Sequence, residues 1–161
     1  MNIIADTAGV WLPTAIVGLL TIFSDRILER IKFRLKRADL RIKYFEQLAL
    51  DLSSYLFYAE LFHERHSRGW TKDPDDLGAI GGEVNSAVVT LRKKEYVYRS
   101  WAKRYWGREP ETELVEVLAA VKAADDAVHL FNDGAQEEKI VLLGQRLVEL
   151  RGKVERWLMQ H

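Results

Sequence analysis

The sequence predicts an all-α protein: an N-terminal transmembrane helix that continues into a long helix, followed by an antiparallel helical bundle. Three observations predict it. Residues 7–24 form an uncharged apolar run that ends abruptly at Asp25. Beyond it, apolar residues recur at steps of three and four, the spacing of one helix face. No stretch carries the sustained alternation of a strand, and the weak alternation of "EYVYRSW", residues 95–101, lies inside a helical face. A chain of 161 residues has length for one domain with its own core and no room for a second.

The apolar run sets the expected location. As helix its eighteen residues, Thr7 to Ser24, extend roughly 27 Å at about 1.5 Å per residue, just enough for a hydrocarbon core of about 30 Å. Trp11 then falls at the outer interface, Pro13 sits near the helix start where its missing N–H does least harm, Gly18 gives a small packing surface beside Thr14 and Thr21, and Phe23 closes the run. A cleaved leader fits poorly, because "MNIIAD" has no basic residue and Thr21-Ile22-Phe23-Ser24 is a poor cleavage site. Arg26, Arg30, Lys32, Arg34, Lys36 and Arg37 all follow the run. Basic residues beside a span stay on the cytoplasmic side, so the expectation is a single-pass inner-membrane protein, N-terminus out and C-terminal domain in the cytoplasm. The expected parts are a membrane anchor, 1–24, a basic juxtamembrane stalk, 25–45, and a cytoplasmic helical bundle, 46–161.

The stalk carries its own pattern. Leu28, Ile31, Leu35, Ala38 and Ile42 continue as Phe45, Ala49, Leu52, Leu56 and Ala59, a seam at the heptad period. Leu48, Tyr55 and Phe62 widen it in the second half alone. A narrow seam suits pairing with one other helix and a broad one suits a bundle, so one helix is expected to run to about His66. The Gly-, Pro- and Asp-rich stretch "HSRGWTKDPDDLGAIGG", residues 66–82, reads as a loop. A second helix presents Leu77 or Ile80, Val84, Val88, Leu91, Tyr98, Ala102 and Tyr105, and stops near Gly107 and Pro110. The third runs from about Glu111 with Leu114, Leu118, Val121 and Val128 to "NDG", residues 132–134; the fourth carries Ile140, Leu143, Leu147, Leu150, Val154 and Trp157 or Leu158.

Composition narrows the chemistry. The absence of cysteine removes disulfides, thiolate metal sites and cysteine nucleophiles. Lys+Arg and Asp+Glu balance at 24 each, which argues against a protein whose main partner is nucleic acid. "LGAIGG", residues 77–82, lacks the Lys and Ser/Thr of a phosphate loop, and no Gly-x-Ser-x-Gly elbow occurs. Two acid-x-x-His elements, Glu60 with His63 and Asp126 with His129, resemble half of a dinuclear metal bundle, but Asp126 points away from its helix's apolar face. His63 and His66 in "HERH" read as polar helix-end residues. No metal, cofactor or catalytic residue is therefore expected. Asp125 and Glu95 fall on apolar faces and call for partners, with Arg99 one turn beyond Glu95. Arg92, Tyr96, Arg99 and Lys103 form an outward stripe suited to anionic lipid or an acidic partner.

In layout, "IVGLLTIFSDRILERIKFRLKRADLRIKYFEQL", residues 16–48, resembles small uncharacterised bacterial single-span membrane proteins with a basic juxtamembrane helix and a helical domain. The resemblance implies no activity and no site residue. The expected function is that of a membrane-tethered, non-enzymatic interaction or scaffold module whose partners are the lipid bilayer, further copies of itself through the stalk, and a cytoplasmic protein. The alternatives are an oligomeric membrane-perturbing effector of the toxin, holin or antiphage type, and a helical metal-binding protein.

Overall fold

A computed structural model of the chain describes residues 3–69, 74–133 and 136–161, with side chains described at 28–69, 76–131 and 136–161. All regular structure among them is helical: α1 (Ile3–Ser67), α2 (Pro74–Tyr105), α3 (Arg108–His129), a 3-10 turn (Leu130–Asp133) and α4 (Glu137–Gln160). The chain divides into two units, residues 1–43 and 44–161.

The second unit is the bundle. Its direction is set by contacts along α1. Tyr44 stacks on Trp101 and Arg65 meets Asp76, so α1 and α2 run antiparallel. Phe45 stacks on Trp157 and His63 reaches Ile140, so α1 and α4 are antiparallel too. Tyr55 bonds Val121 and Phe62 meets Phe131, which makes α3 parallel to α1. The core comes from Leu48, Leu52, Tyr55, Ala59 and Phe62 of α1, Val84, Val88, Leu91 and Tyr98 of α2, Leu114, Val117, Val121 and Ala124 of α3, and Leu143, Leu147, Leu150, Val154 and Trp157 of α4. Each large side chain buried there contributes about 1.5–3 kcal/mol.

Helix ends follow local chemistry. Gly69, at φ 63°, closes α1, with its N–H donating to the His66 carbonyl at 3.2 Å. Gly107, at φ 117°, turns α2 into α3 within two residues, a conformation that side chains with a Cβ rarely adopt. Pro110 lies in the first turn of α3, where its missing N–H has no intrahelical partner to lose, and its carbonyl accepts from Trp157 Nε1 at 3.0 Å.

Three expectations are corrected. The first concerns location. Among the described residues no helix is long and apolar enough to cross a membrane, which overturns the placement as a single-pass inner-membrane protein with its N-terminus out. The side chains of α1 are described from Leu28 onward, where a charged residue recurs within every three positions as far as Glu46, and charge at such density is costly in hydrocarbon. The anchor residues Trp11, Pro13, Gly18 and Phe23, and Arg26 beside them, lie outside the residues whose side chains are described.

The second correction is that α2 begins at Pro74, so the stretch read as loop through Gly82 is mostly helix. Proline's fixed φ is preorganised for a first helical turn. Gly78 and Gly82 face open space, which spares them any packing demand. Third, the α1 core joins the seam residues Leu52 and Ala59 to Leu48, Tyr55 and Phe62, the three read as only widening it, whereas the seam residues Ala49 and Leu56 are its flank.

Candidate functional site

A cleft of about 570 Å³ between α2 and α3 is lined by Val88, Leu91, Arg92, Glu95, Val115, Leu118, Ala119, Val121 and Lys122. Arg92 crosses it. Its Nη2 donates to Asp125 Oδ2 at 2.7 Å, and Asp125 is only 2% exposed. Asp125 Oδ1 has no hydrogen-bond partner and lies 3.8 Å from His129 Nδ1. Burial pushes the Asp125 carboxyl above its ordinary range, and His129 and Arg92 oppose that shift. Tyr55, which donates to the Val121 carbonyl at 3.3 Å, is also raised, by burial first and then by the Asp125 charge. The Arg92–Asp125 ion pair ties α2 to α3 as a charged clamp across the cleft.

The outward stripe of α2 is therefore divided. Arg92 is drawn to α3, and Arg99 reaches Glu111 at 3.7 Å as well as Glu95 at 3.9 Å. Tyr96, 84% exposed, and Lys103 remain on the surface, the latter beside a shallow hollow of about 440 Å³ that Arg99, Arg108 and Glu111 also line. Glu95 is exposed and not buried among apolar side chains, because its position opens onto the cleft where α2 and α3 separate.

The acid-x-x-His residues are scattered among other duties. Glu60 pairs with Arg151 at 2.5 Å. His63 Nε2 donates to the Ile140 carbonyl at 3.1 Å, and His66 Nδ1 to the Phe62 carbonyl at 2.9 Å. Asp126 is exposed, and His129 belongs to the Asp125 group. Among the described residues no group of three or more His, Asp or Glu is placed to hold a metal ion.

One network was invisible to sequence reasoning. Asp51 accepts from the buried Tyr98 hydroxyl, from Lys94 Nζ at 2.8 Å and from Gln47 Nε2 at 3.1 Å. Burial, then the bond to Asp51, pushes the Tyr98 hydroxyl well above its usual value. The signal in the sequence is faint: an acid next to the core position Leu52, with a four-residue offset to Gln47.

The first unit presents a different surface. Leu28, Ile31, Leu35 and Ile42 are between 47% and 60% exposed, and Ala38 is exposed with them. Arg30, Lys32, Arg34, Lys36 and Arg37 flank them at the surface. Comparison with known proteins brings no match, whether to a protein-family model, a curated protein or a solved structure.

Proposed function

We propose that the chain is a non-enzymatic helical interaction module that self-associates through residues 28–42. The observation that carries this reading is the exposure of Leu28, Ile31, Leu35 and Ile42, set at heptad spacing along one face of a helix. Each such side chain gains about 1.5–3 kcal/mol when fully buried, so a strip of them on one helix is a contact surface wanting a second helix. The polar groups of the bundle support the same reading, since Arg92, Asp125, Asp51, Lys94 and Tyr98 hold helices to one another.

The test is the mass of the purified full-length chain by light scattering over a range of concentrations. A dimer or larger assembly is expected, and Leu35→Asp or Ile42→Asp shifts it toward monomer by placing a charge in the seam. A parent that stays monomeric throughout overturns the proposal, as do variants that assemble like the parent.

A further inference from the structure

We infer that the occupant of the exposed seam is a second copy of this chain, aligned parallel and in register; this rests on the self-association just proposed and gives it a geometry. With Leu28, Leu35 and Ile42 at heptad position a and Ile31 and Ala38 at d, the flanking positions are settled. Arg34 and Arg41 take position g, and Lys32, Asp39 and Glu46 take position e. In a parallel, in-register pair, each g residue faces the e residue five positions later on the other chain. Arg34 therefore meets Asp39 of the second copy. The contact joins opposite charges, and the symmetry of the assembly repeats it.

Arg34 and Asp39 do not face each other along their own helix. Five residues at about 100° each put them roughly 140° apart around the axis, on opposite flanks of the seam. Their complementarity is realised between chains. An antiparallel pair brings g to g and e to e, which sets Arg34 against Arg41 and Lys32 beside Asp39, so repulsion cancels attraction. The parallel arrangement makes the facing Arg34–Asp39 pair attractive without setting Arg34 against Arg41. Leu at a with Ile at d in the first heptad favours more than two strands over a strict pair, and the mass measurement gives the copy number.

The absence of cysteine makes direction and register directly readable. In the full chain, Ile31→Cys and Ile42→Cys are made separately and oxidised alone and as a mixture. The parallel register puts each residue opposite itself, within the roughly 4.4–6.8 Å Cα separation that a disulfide needs. Each variant then links to itself, and the mixture yields no disulfide between the two kinds of chain, whose cysteines stand about 16 Å apart along the axis. Linkage only in the mixture means an antiparallel pair, which overturns this inference and leaves self-association standing. No linkage together with a monomeric parent overturns the self-association itself.

Charge exchange supplies the second readout, at about 0.15 M salt where screening beyond about 8 Å is strong. Arg34→Glu is expected to weaken association about tenfold, from two facing pairs turned repulsive, and adding Asp39→Arg in the same chain is expected to restore it. Mere repulsion between basic stalks predicts the opposite sign, since Arg34→Glu lowers the positive charge. Tighter association of Arg34→Glu, or no rescue by the double variant, overturns the register.

Discussion

The buried Tyr98 hydroxyl donates to Asp51 Oδ2, and Lys94 Nζ reaches the same oxygen at 2.8 Å, so one carboxylate ties α1 to two successive turns of α2. Removing the donor is milder than removing the acceptor. Tyr98→Phe deletes one charge-assisted hydrogen bond and is expected to cost about 2 kcal/mol. Asp51→Ala leaves a buried hydroxyl without a partner and an ammonium without its counter-ion, and should cost about 3–4 kcal/mol. The double variant should cost about 1 kcal/mol less than the sum, a coupling that urea unfolding of the four proteins measures. Additive losses would show that the two residues do not act through this contact.

Asp125 gives stability a dependence on pH with a definite sign. Its carboxyl is raised from 3.8 by burial, so the folded chain retains a proton that the unfolded chain has already released. Stability therefore falls as pH rises through the window between 3.8 and the raised folded value. Asp125→Asn removes that contribution, and its stability relative to the parent should improve as pH rises through that window and level off above it. Urea titrations of both proteins at several pH values check this, and a difference that does not vary with pH contradicts it.

Gly144 is reserved for the ring of His63. A Cβ there would lie 2.8 Å from His63 Nε2, the atom that donates to the Ile140 carbonyl. Gly144→Ala gains about 1 kcal/mol in helix propensity but displaces the ring and breaks its bond, for an expected net loss of about 1 kcal/mol. In a His63→Ala background the same substitution should instead stabilise by about 1 kcal/mol. That reversal of sign, read from melting of the four chains, tests the contact.

Salt should strengthen self-association from low ionic strength upward. Between Arg26 and Lys43 there are eight basic residues and only Glu29 and Asp39 as acids, so paired stalks repel over long range. At about 0.01 M salt the screening length is about 30 Å and that repulsion is felt in full, whereas at about 0.15 M it is about 8 Å and the close contacts dominate. Sedimentation at the two ionic strengths is expected to show the tighter assembly at the higher one.

Periodicity made the cores of α2 and α4 legible, because Val84, Val88, Leu91, Tyr98 and Ala102, and Leu143 through Trp157, each repeat on one face of a solvated helix. On α1 it misled by one position. Phe45, Leu52 and Ala59 are shared by two heptad lines, one through Ala49 and Leu56 and one through Leu48 and Tyr55, and only packing against α3 and α4 selects the second. The polar contacts were less legible. Asp125 announced its need of a partner by falling on an apolar face, but that the partner is Arg92 depends on the axial offset between α2 and α3. The Asp51 group draws on two helices joined across more than forty residues, and no local pattern encodes such a meeting.

The distance in sequence between His63 and Ile140, 77 residues, also sets a waiting time during synthesis. A ribosome adding about 5–20 residues per second needs roughly 4–15 s to deliver Ile140 after His63 has been made. Throughout that interval Leu48, Leu52, Tyr55 and Phe62 stand in a nascent chain whose last covering helix, α4, does not yet exist. The joint at Gly107 sets α2 beside α3 soon after both emerge, whereas the contacts of α1 with α4 can form only at the end of synthesis. The interval favours chaperones that hold an exposed apolar stretch, and it makes early pairing between neighbouring nascent chains a hazard in the same seconds.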